Sequence, residues 1–334
     1  MRARQTVCLL FAVLSLRADD SLTGAGATFP EPLYQKWIST FGEKFPALKI
    51  SYRPVGSSAG IEALRRGEVD FAASDAPVAD EQLAEFPRKI RHVPTVIGGV
   101  VPIYHLEGQV RDLRFTPEIL AGIYLGKIKR WDDRLLKSAN RGVALPAHDI
   151  AVVHRADGSG TTYIWTEYLA KVSAEWRSSI GAAKEVRWPV GVGANGNDGM
   201  AELVAKTPDA IGYVEYIYAV QSHLSYGAVR NSSGRFVQAD LNSLTAAAGT
   251  FKPSQNGDFR SSITNASGAQ AYPITAFTYF LIPEKFDNAA KAQSMMDFLR
   301  WTLTFGQRQC ASLGYAALPD AVAKQALETV GGLH

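Results

Sequence analysis

Arg155-Ala156-Asp157-Gly158-Ser159-Gly160-Thr161-Thr162 places a forked cation, a carboxylate, two glycines and three hydroxyls within eight consecutive residues. Residues 150–153, an apolar run, lead into it as a strand, and Tyr163-Ile164-Trp165-Thr166-Glu167-Tyr168-Leu169 leaves it as a helix. The first amides of a helix have no intrahelical partner and lie at the positive end of its dipole, so they donate readily to an anion. Glycine lets the backbone approach closely, Ser159 and Thr161 add hydroxyl donors, and Arg155 offers two parallel N–H groups. Such a set suits a small tetrahedral anion. The same run is also an ordinary turn whose Ser or Thr caps the next helix, and by itself it does not choose between the two.

Two other segments repeat the design. Gly24-Ala25-Gly26-Ala27-Thr28-Phe29-Pro30 runs into a helix over about residues 31–45, in which Leu33, Trp37, Phe41 and Phe45 recur every four residues. Pro30 suits the first helical position, which leaves the amides and hydroxyl near Thr28 pointing out of a helix start. Gly24-x-Gly26 opens like a dinucleotide fingerprint, but Phe29 stands at the third glycine position and the match fails. Val55-Gly56-Ser57-Ser58-Ala59-Gly60 lies between a strand, in which Ile50, Tyr52 and Pro54 alternate, and a helix over residues 61–66. A short strand then ends in Ala73-Ser74-Asp75-Ala76-Pro77. Asp75 could cap a turn before Pro77. In an anion site it has a sharper use. A carboxylate accepts a hydrogen bond from a protonated oxyanion such as hydrogen phosphate, and repels a fully ionised one such as sulfate. A site built around a ligand's donor loses roughly 10⁴–10⁵ against an analogue that lacks it.

These segments must be positioned by a framework, and strands and helices alternate along the chain in βα units. That pattern argues an α/β fold with largely parallel sheets. Helical signals recur at residues 80–86, at 117–124 after a Thr116 cap, at 199–206, and over 290–312 near the C-terminus. Residues 95–106 form a long apolar run containing Gly98-Gly99 and read as a strand leaving one domain for the next. Residues 272–282 read as the return crossing. Residues 231–270, rich in Ser, Asn, Gly and Ala, read as loops with weak short elements.

The whole constellation resembles the phosphate-binding protein of the bacterial high-affinity phosphate (Pst-type) ABC transporter. The shared stretches are residues 22–30, Val69-Asp70-Phe71 with residues 73–77, and residues 95–101. Further on come residues 123–129 with Trp131-Asp132-Asp133, the Arg155 to Thr161 run, Gly196-Asn197-Asp198-Gly199 and residues 210–216. The resemblance extends from about Ser21 to Pro319-Asp320. It implies a periplasmic-binding-protein fold, with two α/β domains joined by two hinge crossovers and the ligand in the interdomain cleft. Domain I would be residues 19–96 plus 274–334, and domain II residues 97–273. It implies phosphate contacts from Thr28, Phe29 (through its amide), Ser57, Asp75, Arg155, Ser159, Gly160 (through its amide) and Thr161, with Asp157 steadying the arginine. Departures are mild: Ala59 replaces a common second glycine, and His154 precedes the arginine. The implied function is high-affinity binding of inorganic phosphate, as hydrogen phosphate or dihydrogen phosphate, in the periplasm. Delivery to an inner-membrane ABC permease would follow. No cofactor, metal or catalysis is implied, and a monomer is expected.

Composition is consistent with this. The 334 residues have room for two domains, and an apolar share of 46% fills both cores. Met1-Arg2-Ala3-Arg4-Gln5 followed by an apolar run over residues 6–16 reads as a signal peptide, cut after Ala18 and too short to span a bilayer. Residues 1–18 carry three arginines and no acid, so the net charge of +3 falls to zero without them. The basic balance thus gives no reason to expect nucleic acid, and no basic, aromatic-interleaved patch supports it. With Cys8 in the leader, Cys310 has no intrachain partner and reads as a packing residue. The six histidines show no metal-ligand spacing.

Rival readings are a receptor for sulfate, molybdate or a phosphomonoester, and a serine hydrolase. Gly56-Ser57-Ser58-Ala59-Gly60 satisfies G-x-S-x-G between a strand and a helix, with Ser58 as nucleophile. That reading lacks an oxyanion segment, and its late histidine would have to be His223 or His334. Phosphoryl transfer lacks both a P-loop and an acidic magnesium cluster.

Overall fold

The computed structural model describes residues 21–252 and 258–333. The leader at residues 1–18 and the terminal His334 lie outside the described residues.

The chain enters on β1 (Ser21–Gly26), followed by β2 (Lys49–Pro54) and β3 (Phe71–Ser74). The next strand, β4 (Ile90–His105), is sixteen residues long and almost wholly buried. Then come β5 (Arg114–Phe115), β6 (Ala151–Arg155), β7 (Val192–Ala194) and β8 (Ala210–Glu215). Short strands β9 (Ser225–Tyr226), β10 (Ala228–Arg230) and β11 (Phe236–Val237) precede the return strand β12 (Thr275–Pro283). The main sheet runs β2-β1-β3-β12-β4-β8-β6-β7, with β9 beside β4, and β11-β10-β5 form a small separate sheet.

The length of β4 organises the molecule. Its first part, from Ile90 to Gly99, pairs with β12, and its second, from Val100 to His105, pairs with β8. One strand therefore serves two lobes, the first built on β2-β1-β3-β12 and the second on β8-β6-β7. Continuous apolar sequence is what a strand needs when both of its faces are covered. The expected crossings at residues 95–106 and 272–282 are thus real strands, displaced by a few residues. The sheet is mixed, where largely parallel pairing was expected. Pairs β1–β2, β1–β3, β6–β7 and β6–β8 are parallel, but every pairing of β4 and β12 is antiparallel. One crossover carries the chain out and the other brings it back, so they must run opposite ways.

Helices cover both faces. Glu31–Lys44 buries Leu33, Tyr34, Trp37 and Phe41, as the four-residue spacing predicts, but Phe45 lies just past its end and is exposed. Pro30 occupies its N-cap and Pro32 a helical position, one step later than expected. The second helix is Ser57–Arg65, so Ser57 and Ser58 belong to its first turn and not to a preceding loop. Gly56 makes this early start possible, because its φ of +91 is accessible to glycine. Pro117–Tyr124 is capped by Thr116, whose Oγ1 accepts from the Ile119 amide. Leu241–Ala248, with an Asp240/Ser243 capping box, is a genuine helix inside the stretch expected to be loop. Near the C-terminus the expected single helix is two elements, Ala289–Thr302 and a 3-10 segment Gly306–Leu313. Cys310 is fully buried in the latter, and burial pushes its thiol up to about 12. No helix of the described residues is long and apolar enough to cross a membrane.

Candidate functional site

Four helices begin at one place between the lobes. Glu31–Lys44 and Ser57–Arg65 start from the ends of β1 and β2, on the first lobe. Gly160–Val172 and Gly196–Lys206 start just after β6 and β7, on the second. Helices Glu31–Lys44, Ser57–Arg65 and Gly196–Lys206 have no side-chain cap at their N-termini. In Gly160–Val172, Ser159 caps with its Oγ accepting from the Thr162 amide. First-turn amides from several dipoles converge in one small region, where the Gly196 amide donates to Asp157 Oδ1 at 3.1 Å and the Asn197 amide to Thr28 Oγ1 at 3.3 Å.

Each side chain expected at the site is buried there. Thr28, Ser57, Asp75, Arg155, Ser159 and Thr161 are all at most 9% exposed. Ser57 Oγ accepts from the Gly160 amide at 3.1 Å, and the Ser58 amide donates to the Gly158 carbonyl at 2.9 Å, so the lobes are in direct contact. A Cβ on Gly160 would lie 2.6 Å from both Asp75 Oδ2 and Ser57 Oγ, which is why only glycine serves here. Phe29 is fully buried, its ring filling the space that a side chain at Gly98 would need, and its carbonyl accepts from Tyr315 Oη at 2.6 Å.

Arg155 is held from several directions. Its Nε donates to Asp157 Oδ1 at 2.6 Å and Nη2 pairs with Asp157 Oδ2. Its main-chain amide donates to Tyr213 Oη at 3.2 Å, and that hydroxyl also bonds Thr162 Oγ1 at 2.7 Å. Burial pushes the Asp157 carboxyl up, but the Arg155 hydrogen bonds and charge more than reverse this and hold it below its ordinary value. Asp157 thus grips the guanidinium at two of its nitrogens. Nη1 is left turned toward Thr161 Oγ1, at 3.5 Å.

Asp75 follows β3 and is buried opposite this cation. Its Oδ1 accepts from Thr278 Oγ1 on β12 at 2.8 Å. Burial raises its carboxyl from 3.8 to about 7, against opposition from the Thr278 hydrogen bond and the Arg155 charge. A second buried acid, Glu215, ends β8. Its Oε2 accepts from the Ile217 amide at 2.7 Å, and its Oε1 has no hydrogen-bond partner among the described residues. Burial raises it well above the carboxylate range, with a further push from Asp75.

Asn197, in the first turn of Gly196–Lys206, belongs to this site although it was not among the expected contacts. It is fully buried, and its Nδ2 donates to Thr28 Oγ1 at 2.8 Å and to Thr161 Oγ1 at 3.3 Å. The signal was present in Gly196-Asn197-Asp198-Gly199, a fourth small-residue run opening a helix, whose helical pattern was expected to begin only at Gly199. Among the described residues no group of three or more His, Cys, Asp or Glu could hold a metal ion.

Two mixed α/β lobes sharing a long crossover strand, with helix starts converging between them, define the periplasmic-binding-protein class, and residues 14–304 match the PBP superfamily domain. The phosphate-binding protein PstS of Xylella fastidiosa (strain Temecula1) is 41% identical over 305 residues, covering 91% of this chain and 83% of that protein. PstS of Haemophilus influenzae is 38% identical over 323 residues, covering 96% of each. The chain belongs to the PstS family of phosphate-binding proteins. Its fold is also similar to the solved structure of a high affinity periplasmic phosphate-binding protein (PfluDING) bound with phosphate. That likeness has a TM-score of 0.73 at 21% identity, covering 91% of this chain and 92% of that one. These relatives are named as phosphate-binding proteins, and the hydrolase reading is not favoured. Ser58 lies within a helix whose first turn faces Gly158, and His223 is exposed beyond the helix Tyr216–Gln221.

Proposed function

We propose that this chain binds inorganic phosphate, as hydrogen phosphate or dihydrogen phosphate, between its lobes and delivers it to the inner-membrane permease of an ABC importer. The observation that carries this reading is the make-up of the cradle. One forked cation and several hydroxyls from glycine-rich helix starts converge, and a buried carboxyl, Asp75, stands among them. The contacts would be Thr28, Ser57, Asp75, Arg155, Ser159 and Thr161 through side chains, and Phe29 and Gly160 through amides. In the closed arrangement the Gly160 amide is taken by Ser57 Oγ, and an entering anion would share or replace that bond. Asp75 gives the reading its specificity, since it suits a ligand that keeps a proton and opposes sulfate.

The protein would work as a monomeric receptor in the periplasm and not as an enzyme. Residues 19–96 with 274–334 form one domain and 97–273 the other. The exchange of partners along β4 between Gly99 and Val100 supports that division. Tyr272 Oη donates to the Val100 carbonyl at 2.9 Å, tying the two crossings together where a hinge would bend. Closure would exclude water and strengthen every polar contact to the anion. Small-angle scattering on protein freed of ligand tests this. Above neutral pH, the radius of gyration should shrink when phosphate is added and stay unchanged with sulfate. Identical curves with and without phosphate, alongside no uptake of labelled phosphate in dialysis, would overturn the reading.

A further inference from the structure

Thr28 and Thr161 reach the cleft from opposite lobes, and both meet the side chain of Asn197. The orientation of that amide is determined, because its Oδ1 accepts from the Glu215 main-chain N–H at 3.0 Å and a main-chain N–H can only donate. The NH2 group therefore faces the two threonines. A hydroxyl has two acceptor positions and one proton. Thr28 Oγ1 receives Nδ2 of Asn197 at 2.8 Å and its main-chain amide at 3.3 Å. Thr161 Oγ1 receives Nδ2 of Asn197 at 3.3 Å and Nη1 of Arg155 at 3.5 Å. In both, the acceptor positions are filled by groups that can only donate, and the remaining valence is the O–H.

We propose that Asn197 is a positioning residue for ligand binding: it makes Thr28 and Thr161 obligate donors to the bound anion and ties the two lobes together through one amide. This rests on the phosphate reading above. Hydroxyls are ambivalent in general and serve a donor or an acceptor equally well. Here Asn197 removes the ambivalence before the ligand arrives. A ligand oxygen without a proton is then favoured at both threonines, and the proton-bearing oxygen is directed to Asp75. Glu215 takes part through its main chain, holding Oδ1 so that the amide cannot flip.

Phosphate titration of wild type, Asn197→Ala, Thr28→Val, the double variant and Asn197→Asp tests this, with ligand-free melting of each as a check on the fold. Asn197→Ala should weaken phosphate binding about tenfold or more in the wild-type background. In the Thr28→Val background it should do so only about threefold, because members of one hydrogen-bond network are non-additive. Asn197→Asp has nearly the same shape but reverses the polarity: its carboxylate takes both hydroxyl protons away from the anion. It should lose more affinity than Asn197→Ala. A side chain that only supported the fold would lower ligand-free melting and act additively with Thr28→Val. Additive losses, or an Asn197→Ala variant with wild-type affinity, would overturn the inference while leaving the phosphate reading intact. Absence of phosphate binding by the wild type would overturn that reading itself.

Discussion

Asp75→Asn most sharply separates a phosphate cradle from a general oxyanion site. Burial raises the Asp75 carboxyl to about 7 despite the Thr278 hydroxyl and the Arg155 charge. Measured from the ordinary 3.8, that is about 4 kcal/mol against the carboxylate form, at about 1.36 kcal/mol for each pH unit. A ligand that brings a proton offsets this cost by donating to the carboxylate. An aprotic oxyanion cannot, and binds only when Asp75 is itself protonated. Protonating such a group costs about tenfold in affinity for each pH unit above its pKa. Sulfate affinity should therefore be level on the acid side of about 7 and fall about tenfold per unit on the alkaline side. Phosphate, which still carries a proton there, should hold far better. In Asp75→Asn the side-chain oxygen can keep the Thr278 bond while the NH2 faces the ligand and donates at every pH. The sulfate slope should vanish, and discrimination with it. The assay is competition by sulfate against labelled phosphate across that pH range, in both proteins. A wild-type sulfate affinity that ignores pH, or sulfate that competes no better against the Asn variant, would refute the reasoning.

Arg155→Ala should weaken phosphate binding more than tenfold, since each charge-assisted hydrogen bond to a desolvated anion contributes about 1.5–3 kcal/mol; undiminished affinity by calorimetry would remove Arg155 from the site. Gly160→Ala places a methyl 2.6 Å from Asp75 Oδ2 and Ser57 Oγ. Overpacking of that kind costs about 1–3 kcal/mol, or roughly five- to 150-fold in affinity if it opposes closure, with ligand-free melting little changed; tight binding by this variant would mean that the lobes do not meet at Gly160. Glu215 binds its proton more tightly folded than unfolded, so its contribution to stability is full below the ordinary carboxylate range and is lost as pH rises toward the raised folded value. Glu215→Gln should flatten the decline of the melting temperature as pH rises above the ordinary carboxylate range, and parallel melting profiles for the two proteins would contradict the raised Glu215 carboxyl.

Much of the cradle was legible because its parts are local. A glycine-rich turn between an apolar strand and an amphipathic helix can be read in ten residues, and Arg155, Asp157, Ser159 and Thr161 lie on one such turn. Asp75 was legible only through the chemistry of a protonated ligand, since nothing near it in sequence shows that Thr278 and Gly160 close over it. Asn197 was missed because its significance is entirely tertiary. Thr28 and Thr161 lie far away in the chain, and although Asn195 is of a type that favours a helix N-cap, nothing local shows which hydroxyls Asn197 meets. The parallel-sheet expectation failed for a similar reason: βα alternation describes the strands on either side, but the direction of β4 and β12 is set by the path between lobes. The helix Leu241–Ala248 was lost in a polar composition although Asp240 and Ser243 spell a capping box. Helix limits shifted where glycine permits an early start, as at Gly56.

The central claim is that the interlobe cradle selects a tetrahedral oxyanion that carries a proton. Isothermal titration of purified, ligand-free protein with phosphate, with sulfate and with a phosphomonoester tests it most directly. The account predicts tight, saturable binding of one phosphate per chain, no measurable sulfate binding above neutral pH, and weaker binding of the monoester than of phosphate. Sulfate or monoester binding as tight as that of phosphate would contradict it.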